Sequence, residues 1–156
     1  MPKPPDGYTF AQVRGSDVVL LKQLLRVFGE AFEDVDAYQG AVPDDAYLMS
    51  FLEKSHVIVI VALQGSEVVG GLVAYELDKF ERDRREIYIY DLAVVARHRR
   101  KGLARNLIEE LRHVARARRA YVIYVQADEG DTPAIRLYES LGTKEDVHHF
   151  DIAVEE

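Results

Sequence analysis

The decapeptide ARHRRKGLAR, residues 96–105, gathers Arg97, Arg99, Arg100, Lys101 and Arg105 around Gly102. Guanidinium and ammonium groups at this density can hold an anion, the guanidinium in two-pronged hydrogen bonds. The glycine lets the backbone approach a phosphate closely. Yet the chain carries a net charge of −7. Residues 97–119 hold nine Lys/Arg and two Glu, a local +7, which leaves −14 on the remainder. Three readings compete: a nucleic-acid patch, a solvated helix face, or a phosphate cradle for a small ligand. The acidic remainder and the lack of stacking aromatics within the stretch count against nucleic acid. Arg112, Arg116, Arg118 and Arg119 read as a solvated helix face. The loop itself favours a small phosphorylated ligand.

Other residues able to do chemistry are few. There is no cysteine, so disulfides, thiolate metal sites and cysteine nucleophiles are excluded. His148 and His149 have no His or Asp partner at metal-ligand spacing, and no metal site is read. Ile87, Ile89, Asp91 and Ala93 share one strand face by alternation, provided no bulge intervenes. A carboxylate ending an apolar face is costly unless something pairs with it. That partner is either Arg84 or Arg85 in a structural ion pair, or a cationic amine from outside; the residues alone leave both open. Tyr138 lies in the stripe Ala134, Leu137, Tyr138, Leu141, which by itself reads as helix core.

These residues need a scaffold, and 156 residues suit one domain spanning 1–156. No apolar run approaches the ~18–20 residues of a membrane-spanning helix, and MPKPPDGYTF lacks a signal-peptide core, so a cytoplasmic protein is expected. YTFAQVR (8–14) reads as a strand. Ser16 reads as the N-cap of a helix with buried stripe Leu21, Leu24, Leu25, Phe28, Phe32. EDVDAYQGAVPDD (33–45) is an acidic turn region, and DDAYLMSFLEK predicts a short helix. HVIVIVAL (56–63) and VVGGLVAYEL (68–77) form a hairpin around QGSE. EIYIYDLAVV (86–95) is a strand; the basic loop follows, then a helix with stripe Ala104, Leu107, Ile108, Leu111, Val114, Ala115. YVIYVQA (121–127) is a strand parallel to 86–95 across a helical crossover. TPAIRLYESLG is a helix with Pro133 near its start and Gly142 at its end. VHHFDIAV (147–154) predicts a last strand. The expected class is α+β (mixed α/β), with one central, mostly antiparallel mixed sheet and flanking helices.

Arg99-x-x-Gly102-x-Ala104 after YIYDLAV resembles the acetyl-CoA pyrophosphate motif Q/R-x-x-G-x-G/A of the GCN5-related N-acetyltransferases. AIRLYESLG (134–142) resembles the A-x-x-L-Y-x-x-x-G helix of that superfamily. FGEAFEDVDAY (28–38), EIYIYDLAV (86–94), HRRKG (98–102), AYVIYVQADEGDTPAIRLYESLG (120–142) and HFDI (149–152) together resemble aminoglycoside 3-N-acetyltransferases of the gentamicin-modifying type. The similarity covers roughly residues 24–152. Two positions depart from the superfamily pattern: Asp131 stands where many members have a cofactor-contacting Asn, and Thr143 stands where Phe is usual. Asp131 has a second reading as a helix cap.

The resemblance implies acetyl-CoA as donor and direct transfer to an amine. It implies that Leu92, Ala93 and Val94 meet the acetyl group and pantetheine. Arg99, Arg100, Lys101, Gly102, Leu103, Ala104 and Arg105 then cradle the pyrophosphate, with Asp131 beside the pantetheine. Tyr138 would protonate the departing thiolate and Asp91 would bind and deprotonate the amine. The superfamily often bulges the Asp91 strand near Leu92. A cationic aminoglycoside acceptor would be met by Glu33, Asp34, Asp36, Asp128, Glu129 and Asp151. The same resemblance suggests a homodimer, and no nucleic acid or membrane partner is expected. Two alternatives remain: the same fold acting on a polyamine or protein amine, and a non-catalytic acyl-CoA- or nucleic-acid-binding module.

Overall fold

Residues 57 to 62 are apolar at every position and mostly β-branched, a pattern that suits a strand covered on both faces. In the computed structural model, which describes residues 3–155, this segment is β2 (Val57–Gln64), and Val57 to Ala62 are buried without a break. It lies inside a five-stranded sheet ordered β1-β2-β3-β4-β5, with β1 (Tyr8–Gln12), β3 (Glu67–Asp78), β4 (Arg85–Val94) and β5 (Ala120–Val125). The first four strands pair antiparallel and β4–β5 is parallel. This mixed α+β sheet is the predicted class, and the parallel pair falls where the helical crossover requires it.

The helices α1 (Val18–Ala31) and α4 (Leu103–Ala117) cover the sheet: α1 lies on β3 and β4, α4 across β2 to β5. The α1 stripe buries Val18, Leu21, Leu24, Val27 and Phe28. Phe32, expected in that stripe, is exposed at the helix end and stacks on Phe28 instead. Gly71 in β3 makes the close approach of α1 possible. A Cβ there would lie 2.5 Å from Leu24 Cδ1 and 2.8 Å from the Ile60 carbonyl oxygen.

The helix start differs from expectation by one residue. A turn closes through Asp17 N–H to the Arg14 carbonyl, at 3.1 Å. Asp17, not Ser16, therefore becomes the N-cap, and its side chain makes no cap bond. The acidic region 33–45 holds an unforeseen short helix, α2 (Val35–Gln39), capped by Asp34 accepting from Ala37 N–H at 3.1 Å. The predicted short helix follows as α3 (Asp45–Glu53).

The structure divides into two compact units at Gln126/Ala127; everything above belongs to the first. The second carries α5 (Thr132–Leu141), with Pro133 in its first turn and Gly142 at its C-cap. The predicted strand 147–154 is not formed: these residues are irregular, and Val147, Phe150, Ile152 and Val154 are exposed. A strand needs a ladder partner, and the described residues of this unit contain no other strand to supply one. No helix among the described residues is long and apolar enough to cross a membrane.

Candidate functional site

Asp91 is placed by a fault in the sheet. Along β3–β4, Val73 faces Asp91 but Ala74 faces Ile89, so Tyr90 is an extra residue in β4. Such a bulge breaks the in–out alternation, and the parity that grouped Asp91 with Ile87 and Ile89 fails. Those isoleucines are buried. Asp91 instead lies with Tyr75, Tyr88 and Tyr90, whose rings touch in sequence: Tyr75–Tyr90 at 6.1 Å and Tyr88–Tyr90 at 5.8 Å between centroids. Tyr88 then stacks on Tyr124 at 4.7 Å. The Asp91 charge helps raise the phenol pKa of Tyr75 and Tyr88, after burial.

The Asp91 carboxylate is half-buried, and burial pushes its pKa above the usual carboxylate value. The opposing influence is one hydrogen bond, donated by Tyr38 of α2 to Asp91 Oδ1 at 3.0 Å. The two arginines that could have paired with it do not. Arg84 bonds Glu81 at 3.2 Å and lies over the Tyr121 ring, while Arg85 faces Asp78 and Asp83. Among the described residues no cation pairs with Asp91. A carboxylate held this way has the chemistry to pair with an ammonium group.

Next to it, β4 opens. The β4–β5 register stops at Ile89↔Val125, so from Tyr90 to Val94 that edge of β4 has no residue of β5 beside it. On the other edge Leu92, Ala93 and Val94 face Leu72, Gly71 and Gly70 of β3. The chain then turns through a short 3₁₀ segment, Ala96–His98, into the basic loop.

The loop is tied down from beneath. Tyr8 Oη lies 2.7 Å from Nδ1 of the buried His98, and Lys101 Nζ donates to Tyr8 Oη at 3.2 Å. Tyr8 Oη thus accepts from Lys101, and the direction of its bond with His98 follows the tautomer of the ring. Burial, then Arg97 and Lys101, lower the His98 pKa, in keeping with a neutral ring. Arg99 Nε donates to the Val94 carbonyl at 3.0 Å, and Arg97 pairs with Glu67. Arg97 is thus an outward neighbour of the loop. Gly102 has φ +78 and Arg100 φ +63. The N-terminus of α4 has no side-chain cap, so first-turn N–H groups such as those of Leu103 and Ala104 lack an intrahelical partner and could meet an anion. Gly102 is fixed by its carbonyl, which accepts from Asn106 N–H at 3.0 Å and Asn106 Nδ2 at 2.8 Å.

Of the acidic residues expected to meet a substrate, Glu33, Asp34 and Asp36 lie exposed around α2 in the first unit. In the second unit Asp128 and Glu129 are exposed in the turn before α5. Asp131 caps α5, accepting from Ala134 N–H at 3.3 Å. Asp151 pairs with His149 at 2.9 Å. Tyr138 is half-buried, and burial, then the Asp131 charge, pushes its phenol up to about 12. No group of His, Asp or Glu able to hold a metal occurs among the described residues.

Sequence reasoning missed Tyr38, the tyrosine face and the Tyr8–His98 anchor. The face had a signal: Tyr88 and Tyr90 alternate with Ile87 and Ile89, a strand aromatic on one side and aliphatic on the other. Tyr38 and Tyr8 had none, because their partners are 53 and 90 residues away.

A family model described as Acetyltransferase (GNAT) family matches residues 21–143. The chain is 26% identical over 135 residues to an uncharacterized N-acetyltransferase, YhfO, of Bacillus subtilis (strain 168), covering 86% of this chain and 89% of that one. Its structure is similar to that of the aminoglycoside acetyltransferase HMB0005 from an uncultured soil metagenomic sample, with TM-score 0.93, 51% identity and 95% and 99% of the two chains covered. It is also similar to the aminoglycoside acetyltransferase meta-AAC0020, from an uncultured soil metagenomic sample, in complex with sisomicin. There the TM-score is 0.89 at 28% identity, over 96% and 98% of the chains.

Proposed function

The chain belongs to the acetyltransferase (GNAT) family, and from that premise we propose that it transfers an acetyl group from acetyl-CoA directly to the 3-amino group of an aminoglycoside. The observation that carries the acceptor half is Asp91. Its half-buried carboxylate has a phenol donor and, among the described residues, no paired cation, beside a row of tyrosine rings. An ammonium group would supply the missing charge, and aromatic faces add cation–π attraction. The likeness to two aminoglycoside acetyltransferases supports the choice among amines.

The residues present fit acetyl-CoA. A cradle of uncapped N–H groups follows Gly102, whose absent Cβ would meet nothing nearer than Asn106 Nδ2 at 3.8 Å. Arg99, Arg100, Lys101 and Arg105 flank Gly102 in sequence and make this stretch strongly positive. Leu103 and Ala104 offer backbone donors, and the open edge of β4 at Leu92, Ala93 and Val94 offers amide partners for the pantetheine arm. Bound there, acetyl-CoA supplies the activated acetyl group and a thiolate leaving group. Asp91 takes the ammonium proton at its carboxylate. In the second unit Tyr138, with a phenol near 12, stays protonated throughout the working pH range, as the family-implied role of protonating a departing thiolate requires. Asp131 caps the helix that carries it. Glu33, Asp34 and Asp36 in the first unit, and Asp128, Glu129 and Asp151 in the second, each add negative charge that would speed capture of a polycation in a salt-dependent way.

The test is direct: purified protein, acetyl-CoA and gentamicin or sisomicin, with thiol release, product mass and NMR location of the new amide. Acetylation at the 3-amine is expected, and expression in a susceptible bacterium should then raise its tolerance of the drug. Turnover on spermidine or a peptide but on no aminoglycoside would overturn the acceptor assignment.

A further inference from the structure

We propose that Tyr38 is a positioning residue for Asp91, linking the acidic segment that precedes α3 to the carboxylate that receives the amine proton. This rests on the reading of Asp91 given above. The hydroxyl of Tyr38 donates to Asp91 Oδ1 at 3.0 Å across 53 residues of sequence. No second donor to that carboxylate occurs among the described residues, so Oδ2 is left for the amine. One oxygen is held and the other is presented.

Tyr38 is well fixed for this task. A five-residue helix has no stability of its own, and α2 gains its place from aromatic packing on α1. The Tyr38 ring contacts Phe28 at 5.9 Å and Phe32 at 5.6 Å. α2 lies close over Gly29 of α1, where an added Cβ would stand in ordinary contact, 3.5 Å from both Val35 Cα and Tyr38 Cβ. The hydroxyl is thereby delivered to Asp91 by the same helix whose start carries Asp34 and Asp36. An acceptor engaging those acids presses on the element that orients the base.

The electrostatics agree. The groups facing Asp91 are Tyr38 from α2, Tyr75 from β3, and Tyr88 and Tyr90 from β4. Asp34 lies close enough to act on Tyr38, and Tyr47 of α3 acts on Tyr75. None is a cation. Burial favours the neutral acid, and the phenol donor works against it, favouring the ionised form that can accept a proton. Tyr38 itself is raised above the ordinary phenol range by burial and by Asp91, so it remains a donor.

The test compares Tyr38→Phe with Asp91→Asn by pH profiles of kcat/KM. In Tyr38→Phe the ring contacts persist and the lowering influence on Asp91 is gone. Its acidic limb should move upward by about one pH unit, and kcat should fall about tenfold with KM for acetyl-CoA unchanged. Asp91→Asn should abolish the limb, and Tyr38→Phe added to it should cost nothing further. If Asp91→Asn removes the limb but Tyr38→Phe leaves it in place, Tyr38 has no positioning role, even should its melting temperature drop. If Asp91→Asn keeps both limb and rate, the assignment of Asp91 falls, and the role of Tyr38 with it. Should Tyr38→Phe not fold, Tyr38→Met in the same assay applies the same criterion, since it also removes the hydroxyl donor.

Discussion

Gly102→Ala separates the backbone geometry of the basic loop from its charge. Gly102 adopts φ +78, a conformation that costs an L-residue roughly 1–2 kcal/mol. A methyl group there would clash with nothing, its nearest neighbour being Asn106 Nδ2 at 3.8 Å. The penalty is therefore torsional. The backbone cannot escape it by rotating, because the Gly102 carbonyl is held by both the amide and the side chain of Asn106. The stiffer unfolded chain returns about 0.4–1 kcal/mol. A net loss of about 1 kcal/mol should lower the melting temperature by roughly 2–4 °C in a chain of this size. If the alanine instead tilts the first-turn N–H groups away from the pyrophosphate, one charge-assisted hydrogen bond is lost. The Kd for coenzyme A, measured by calorimetry, should then rise by about tenfold. A lowered melting temperature with unchanged Kd would refute the assignment of these N–H groups to phosphate. An unchanged melting temperature would refute the strain argument itself.

Tyr138→Phe should slow turnover by about 10²-fold, the scale of a lost general acid, with coenzyme A affinity unchanged; an unaltered rate would remove Tyr138 from the chemistry. His98 is held below its usual 6.5 by burial, then by Arg97 and Lys101. The unfolded chain therefore takes up the proton first as pH falls. The His98 contribution to stability is complete above about pH 6.5 and is lost below it. His98→Gln should flatten that part of the melting temperature–pH curve, and an unchanged slope would count against a neutral His98. Gly71→Ala sets a Cβ 2.8 Å from the Ile60 carbonyl oxygen and 2.5 Å from Leu24, and should destabilise by about 1–3 kcal/mol. Urea unfolding would show it, and a loss below the Gly102→Ala value would mean that α1 yields easily.

What was legible in the sequence was what repeats over short distances. The apolar run 57–62, the heptad-like stripe of α4 and the Asp–x–Pro start of α5 each carry a local cause, and each forms where expected. The basic loop was readable because its glycine and cations are contiguous. Asp91 drew notice as a carboxylate within a strand, but the face it takes was not legible, since a bulge belongs to the register between two strands. α2 escaped notice because five residues carry no period, and it exists through Phe28 and Phe32. The expected strand 147–154 shows the converse case: its alternation is genuine, but a ladder needs a second chain segment that pattern alone cannot provide.

The link from Tyr8 to His98 and Lys101 has a consequence for the order of assembly. Tyr8 leaves the ribosome ninety residues ahead of His98, and β1 can pair only with β2, made some fifty residues later. The loop read as the donor cradle therefore cannot be locked until the first strand has docked on a sheet whose middle is already built. Closing so long a loop makes this a late, non-local step. Trimming or crowding the chain ahead of Tyr8 should weaken coenzyme A binding before it touches the sheet.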